Sequence, residues 1–211
     1  MEILVTLVMV VLGLGLLWAV KMLGSTVAGR TRARGASRSQ ARRHFVNAAQ
    51  LLAKSRSPGN ARAVGRKIAR EAVAEADAAI LLDPKDAALH IVKSLALQQL
   101  GRPAAALRSL TTALTKPASR SLSPSERAEA LAKRASLFLE QGKGRRGLDL
   151  AIADLEESLS LKADNVDVQC MLANCYEKNG QKVKAVEAYQ KSLALDPDFS
   201  EAKKGLSKVE S

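Results

Sequence analysis

Aromatic residues make up only 3% of this 211-residue chain, which also has just two cysteines and two histidines. Two thiols cannot build a disulfide framework. Cys170 and Cys175, five positions apart on a helix, would sit about 140° apart around its axis, so they neither pair nor share a ligand site. That usage points to a reducing compartment. His44 and His90 have no Cys, Asp or Glu at ligand spacing, which predicts no metal site and leaves His90 as a packed helix residue. Serine nucleophile elbows, Walker loops and supported carboxylate pairs are also missing, so neither a catalytic residue nor a cofactor is predicted. The stretch Gly142–Gly147 spells G-x-G-x-x-G, but a helix precedes it where a phosphate cradle needs a strand. A flexible basic loop between helices is expected there. No run alternates as a strand does; apolar residues recur at three- and four-residue spacing, which predicts an all-α fold.

Negative charge is absent from one long stretch. Between Lys21 and Arg70 there are 13 Lys and Arg and no Asp or Glu, whereas residues 71–211 hold 20 of each sign. The net charge of +12 is therefore local. Directly before this block, Ile3 to Val20 is an uncharged run that would rise about 27 Å as a helix, near the minimum for a bilayer core. Trp18 suits the interfacial zone, and the positive charge follows the apolar run where a cleaved signal peptide would put it first. The expected order is a single transmembrane anchor over 1–24 and a basic linker over 25–40. The membrane contact is through residues 3–20, and the rest of the chain lies on the cytosolic side of the endoplasmic reticulum, an organelle outer membrane or a bacterial inner membrane. Lys21, Arg30, Arg32, Arg34, Arg38 and Arg42 would attract anionic head groups at about 1 kcal/mol each. A second reading gives segment 21–70 to RNA or the ribosome. No aromatic residue interleaves the arginines between Arg30 and Arg43, so base stacking has no support.

Beyond the linker the chain repeats itself. Residues 166–199 contain Leu172, Ala173, Tyr176, Gly180, Ala185, Tyr189, Leu193 and Pro197. Degraded versions run over 128–165 (Ala135, Phe138, Gly142, Ala151, Leu155, Leu159) and 87–119 (Leu97, Gly101, Ala106, Leu110, Ala113, Leu114). A weak one covers 41–85, ending in LLDPKD as the last ends in LALDPDF. Ser123-Pro124-Ser125-Glu126 has the form of a capping box with proline at the first helical position. Asp83-Pro84 and Asp196-Pro197 should each stop a helix. Ala106, Ala135, Ala151, Ala173 and Ala185 fall where helices approach most closely, and four extra residues within GKGRRGLDL should lengthen a turn. Residues 200–211 read as a solvated capping helix.

This pattern resembles the tetratricopeptide repeat, a 34-residue helix–turn–helix unit that must stack with others to bury its apolar faces. The resemblance implies an α-solenoid of about four units over 41–199, serving as a scaffold that binds another protein. Its ligand, a peptide or helix, would lie in a groove lined by the first helix of each unit. The positions implied for that groove are Arg43, Asn47, Gln98, Gln99, Lys133, Ser136, Glu140, Met171, Asn174 and Lys178. The clamp by which some relatives hold the terminal carboxylate of heat-shock chaperones is not expected. Val92 cannot donate to a carboxylate, and Glu129 would repel one.

Overall fold

A computed structural model describes residues 35–57, 61–142 and 144–210. The anchor expected at 1–24, with Lys21, Arg30, Arg32 and Arg34, lies outside them. Among the described residues no helix is long and apolar enough to cross a membrane.

The described residues form nine α-helices and no strand. They are α1 (35–55), α2 (Arg62–Leu82), α3 (Ala87–Gln99), α4 (Pro103–Leu114), α5 (Pro124–Glu140), α6 (Gly144–Leu161), α7 (Val166–Lys178), α8 (Lys182–Leu195) and α9 (Ser200–Glu210). A short 3-10 turn, Ala118–Ser121, lies between α4 and α5. Each helix packs mainly on its neighbours in sequence, the arrangement of an α-solenoid. We call the odd-numbered helices the A helices and the even-numbered ones the B helices.

The punctuation acts as its chemistry demands. The Ser123 side chain accepts from the Glu126 backbone N–H, and Glu126 accepts from the Ser123 backbone, with Pro124 opening α5. The Ser123 hydroxyl also donates to Glu126 Oε2 at 2.7 Å, and this bond foremost, with the backbone one, holds the Glu126 carboxyl below its ordinary value. Removing the hydroxyl with Ser123→Ala should cost about 1 kcal/mol in a urea melt, whereas an unchanged midpoint would mean that the cap is idle. Helices α2 and α8 stop at Leu82 and Leu195, just before Asp83-Pro84 and Asp196-Pro197. Gly101, Gly142 and Gly180 all have positive φ, at 69°, 59° and 75°, where each A helix turns into its B helix.

The core is a continuous seam of small and branched residues. Ala106, Ala135, Ala151, Ala173 and Ala185 are all fully buried. Ala48 packs with Ala76 and Val92, and Leu52 with Ala72 and Ala96, which joins α1 to α2 and α3. Toward the C-terminus Tyr189 is fully buried, and a Cβ at Gly205 would run into its ring, so α9 can lie close only because that position is glycine. Ala202 and Val209 of α9 are buried as well, giving the capping helix an apolar side that belongs to the core.

Two expectations change. Helix α1 already includes residues 35–40, expected as linker, and its first described turn is tied down: Ser37 Oγ donates to the Leu82 carbonyl at 3.0 Å and Arg38 stands 3.6 Å from Asp83. The extra residues of the third unit lengthen a helix and not a turn. Helix α6 has 18 residues against 12 in α4 and 14 in α8. Arg145 to Leu161 contains no proline and keeps its helical spacing, so the added residues extend the helix. Gly144-Arg-Arg-Gly147 is thus the first turn of α6 and not a flexible loop.

Candidate functional site

The A helices stand beside one another at several points. Gln98 of α3 donates its side-chain amide to Glu140 of α5 at 3.4 Å. Asn174 of α7 donates to Glu201 of α9 at 3.3 Å and accepts the Tyr189 hydroxyl at 2.6 Å. Lys133 and Lys178 are exposed, Ser136 is half-buried and donates to the Lys133 carbonyl at 2.8 Å, and Met171 is half-buried against the C-terminal core. These seven residues lie along three successive A helices.

The other three differ. Asn47 turns toward the B helix of its own unit, reaching Glu75 of α2 at 3.5 Å, where His44 Nδ1 also sits at 2.8 Å. Arg43, one helical turn before Asn47, is exposed. Gln99 is 100° around α3 from Gln98 by helical geometry and lines a separate hollow between α1, α2 and the end of α3. His90 is buried, with Nε2 3.1 Å from the Pro84 carbonyl. Burial pushes both the Cys170 and Cys175 thiols up to about 11, which makes them weak nucleophiles.

Sequence reasoning missed the part played by α9. Glu177 of α7 accepts from Lys208 at 2.5 Å, and the Tyr189 hydroxyl lies 3.0 Å from its other oxygen. With Glu201 this sets a polar rim beside Asn174 and Lys178. The residues were passed over because 200–211 read as a cap, and a helix with Glu201, Lys203, Lys204 and Lys208 looks solvated in one dimension. The Lys208 hydrogen bond holds the Glu177 carboxyl below its ordinary 4.5, against a smaller opposing effect of burial. A carboxyl depressed in the folded state contributes stability above its unfolded value and loses it as pH falls. Amides of α9 should therefore exchange faster, relative to those of α4, as the pH drops below about 4.5. Unchanged relative protection would show that Glu177 does not hold α9.

A second missed feature lies on the B side. A cavity of about 740 Å³ opens between α6 and α8, floored by α7. Leu159, Leu172, Ala188 and Leu195 line it, with Lys184 at 5.4 Å over the Tyr176 ring. Tyr176 donates to Glu156, and burial foremost raises its hydroxyl above the ordinary phenol range. Gln169 is buried in this wall, and its side-chain oxygen has no hydrogen-bond partner. In the third unit the equivalent position is Leu131, fully buried in the core.

Comparison with known proteins agrees with this architecture. The tetratricopeptide repeat family matches residues 166–199. No curated protein matches in sequence. Among solved structures, one crystal structure of MamA is similar at a TM-score of 0.62 and 19% identity, covering 79% of this chain and 80% of that one. Another of MamA gives 0.59 and 21%, covering 68% and 78%. YrrB, described as a tetratricopeptide protein with an unusual peptide-binding site, gives 0.58 and 15%, covering 68% of each chain. Residues 166–199 therefore match the tetratricopeptide repeat, and the described residues are similar in fold to all-α solenoids such as YrrB.

Proposed function

We propose that this chain is a protein-interaction scaffold, tethered to a membrane by residues 3–20 with its helices facing the cytosol. A segment of the partner protein, extended or helical, lies across α3, α5 and α7. The observation that carries this reading is the row of accessible amide and charged side chains along successive A helices, with Gln98, Lys133, Ser136, Glu140, Asn174 and Lys178 in front of a closed apolar core. Amides recognise backbone groups of a peptide whatever its sequence, and Met171 offers an adaptable apolar contact. The fold shared with YrrB, a protein with a peptide-binding site, supports a peptide as the ligand class. Arg43, exposed on α1, would extend the contact to that helix. The tether rests on the apolar run of residues 3–20 and the basic residues after it. The endoplasmic reticulum and organelle outer membranes fit that charge order equally.

Two measurements test the proposal. Carbonate extraction of cells should leave the full-length chain in the membrane pellet; its release would end the tether. Changing Gln98, Lys133 and Lys178, all exposed, together to Ala should weaken capture of the partner by about tenfold or more while leaving the melting temperature nearly unchanged. Full retention of the partner by a folded variant would remove the A-helix face from consideration.

A further inference from the structure

Nine of the basic residues between 21 and 70 lie on described backbone, and the fold does not spread them evenly. The C-terminal end of α1, the N-terminal turn of α2 and the end of α3 enclose a hollow of about 550 Å³. Arg56, Arg62 and Arg66 line it, together with Ser55, Ser57, Gln99 and Leu100, and no acidic side chain does. None of the three arginines makes an ion pair among the described residues. Helix α2 has Ala61 at its N-cap, with no side-chain cap and no acid in its first turn, so its positive end adds to the same field. Arg62, Arg66 and Arg70 form an exposed row along α2, one every four residues and so about 6 Å apart. The close approach that shapes the hollow depends on Gly65, where a Cβ would stand 2.9 Å from the Ser55 carbonyl oxygen.

We propose that this hollow is a second docking site, separate from the A-helix face, for an acidic segment of a partner protein. Three guanidiniums with no carboxylate among them set a positive field that an acidic segment complements, and each can take a carboxylate bidentately. Successive side chains on one face of an extended peptide are spaced at about 6–7 Å, close to the spacing of the arginine row. The rest of the lining suits a peptide better than RNA. The Gln99 amide and the Ser57 hydroxyl can bond a peptide backbone, Leu100 offers an apolar contact, and no aromatic ring among the described lining residues is present for a base to stack on. Lipid head groups fit less well, because the hollow lies at the far end of α1 from residue 35, roughly 30 Å along the helix axis.

The test uses the full-length chain in non-ionic detergent and a fluorescent oligoglutamate peptide, with oligouridylate RNA as the rival probe. The wild type should bind oligoglutamate, more weakly as salt is added. The triple variant Arg56→Glu, Arg62→Glu, Arg66→Glu should bind at least about tenfold more weakly at low salt. All three side chains are exposed, so its circular dichroism and melting temperature should match the wild type. Arg145→Glu with Arg146→Glu, which removes the same kind of exposed charge on α6, should retain most of the affinity. Equal binding by the triple variant, equal loss in the Arg145/Arg146 control, or preference for oligouridylate would each overturn the proposal.

Discussion

Replacing Asp154 with Ala should destabilise the chain by roughly 3–5 kcal/mol, one of the largest single-residue effects expected in it. Both oxygens of this carboxylate accept from Arg134, Nε to Oδ2 and Nη2 to Oδ1, each at 2.7 Å. The aspartate side chain is 8% exposed and the arginine 19%, so the pair joins α5 to α6 in a region that water hardly reaches. Removing one member strands a charge that has lost its solvent and its partner. The Arg134 guanidinium also lies 6.0 Å from the Phe138 ring, a contact that holds it in place and restricts its escape to water. Chemical melts of Asp154→Ala should show the loss directly. The double change Arg134→Met, Asp154→Leu removes both charges and fills the space; it should recover most of the loss. A double variant as unstable as the single one would mean that packing, and not the stranded charge, sets the cost.

Tyr189→Ala is the second. The side chain is fully buried, and truncating a buried aromatic ring costs roughly 3–5 kcal/mol through lost transfer energy and the cavity left behind. Here the loss should be local first. The ring is the surface on which Gly205 of α9 rests, and its hydroxyl lies within hydrogen-bond distance of Asn174 and Glu177 on α7. Hydrogen exchange should find α9 deprotected well before α3 and α4. Tyr189→Phe keeps the ring and should cost only about 1 kcal/mol, mainly from the freed polar partners. If Tyr189→Ala left α9 as well protected as in the wild type, the last helix would be held by something other than this ring.

The elements most legible in the sequence were those whose chemistry is local. A capping box, proline stops and glycines with positive φ act within a few residues of themselves, so Ser123–Glu126, Asp83-Pro84 and Gly180 could be read directly. The alanine seam was legible too, because alanines recur on the A helices (Ala135, Ala173) and on the B helices (Ala106, Ala151, Ala185), and all five are buried. What the sequence obscured depends on which helices come to face each other. An inserted stretch has the same length whether it lengthens a turn or a helix, so the 18 residues of α6 had to be seen. Arg134 and Asp154 are 20 positions apart and stand on different helices, with nothing local to mark them as a pair. The basic block read as one uniform feature, yet the end of α1 and the first turns of α2 bring Arg56, Arg62 and Arg66 to one hollow while Arg38 pairs with Asp83. Eight of the ten groove candidates lie on α3, α5 and α7, and of these Gln99 alone lines the other hollow. Asn47 instead points to α2, because its register in the weak first unit was fixed by spacing alone.

Residue-specific photo-crosslinking on the full-length chain tests the scaffold reading most directly. A photoreactive amino acid at Lys133 or Lys178, exposed on A helices, should link to one partner protein. The same group at Arg108 or Leu150, exposed on B helices, should not. Equal labelling from both sides, or a partner that links only through α4 and α6, would contradict it.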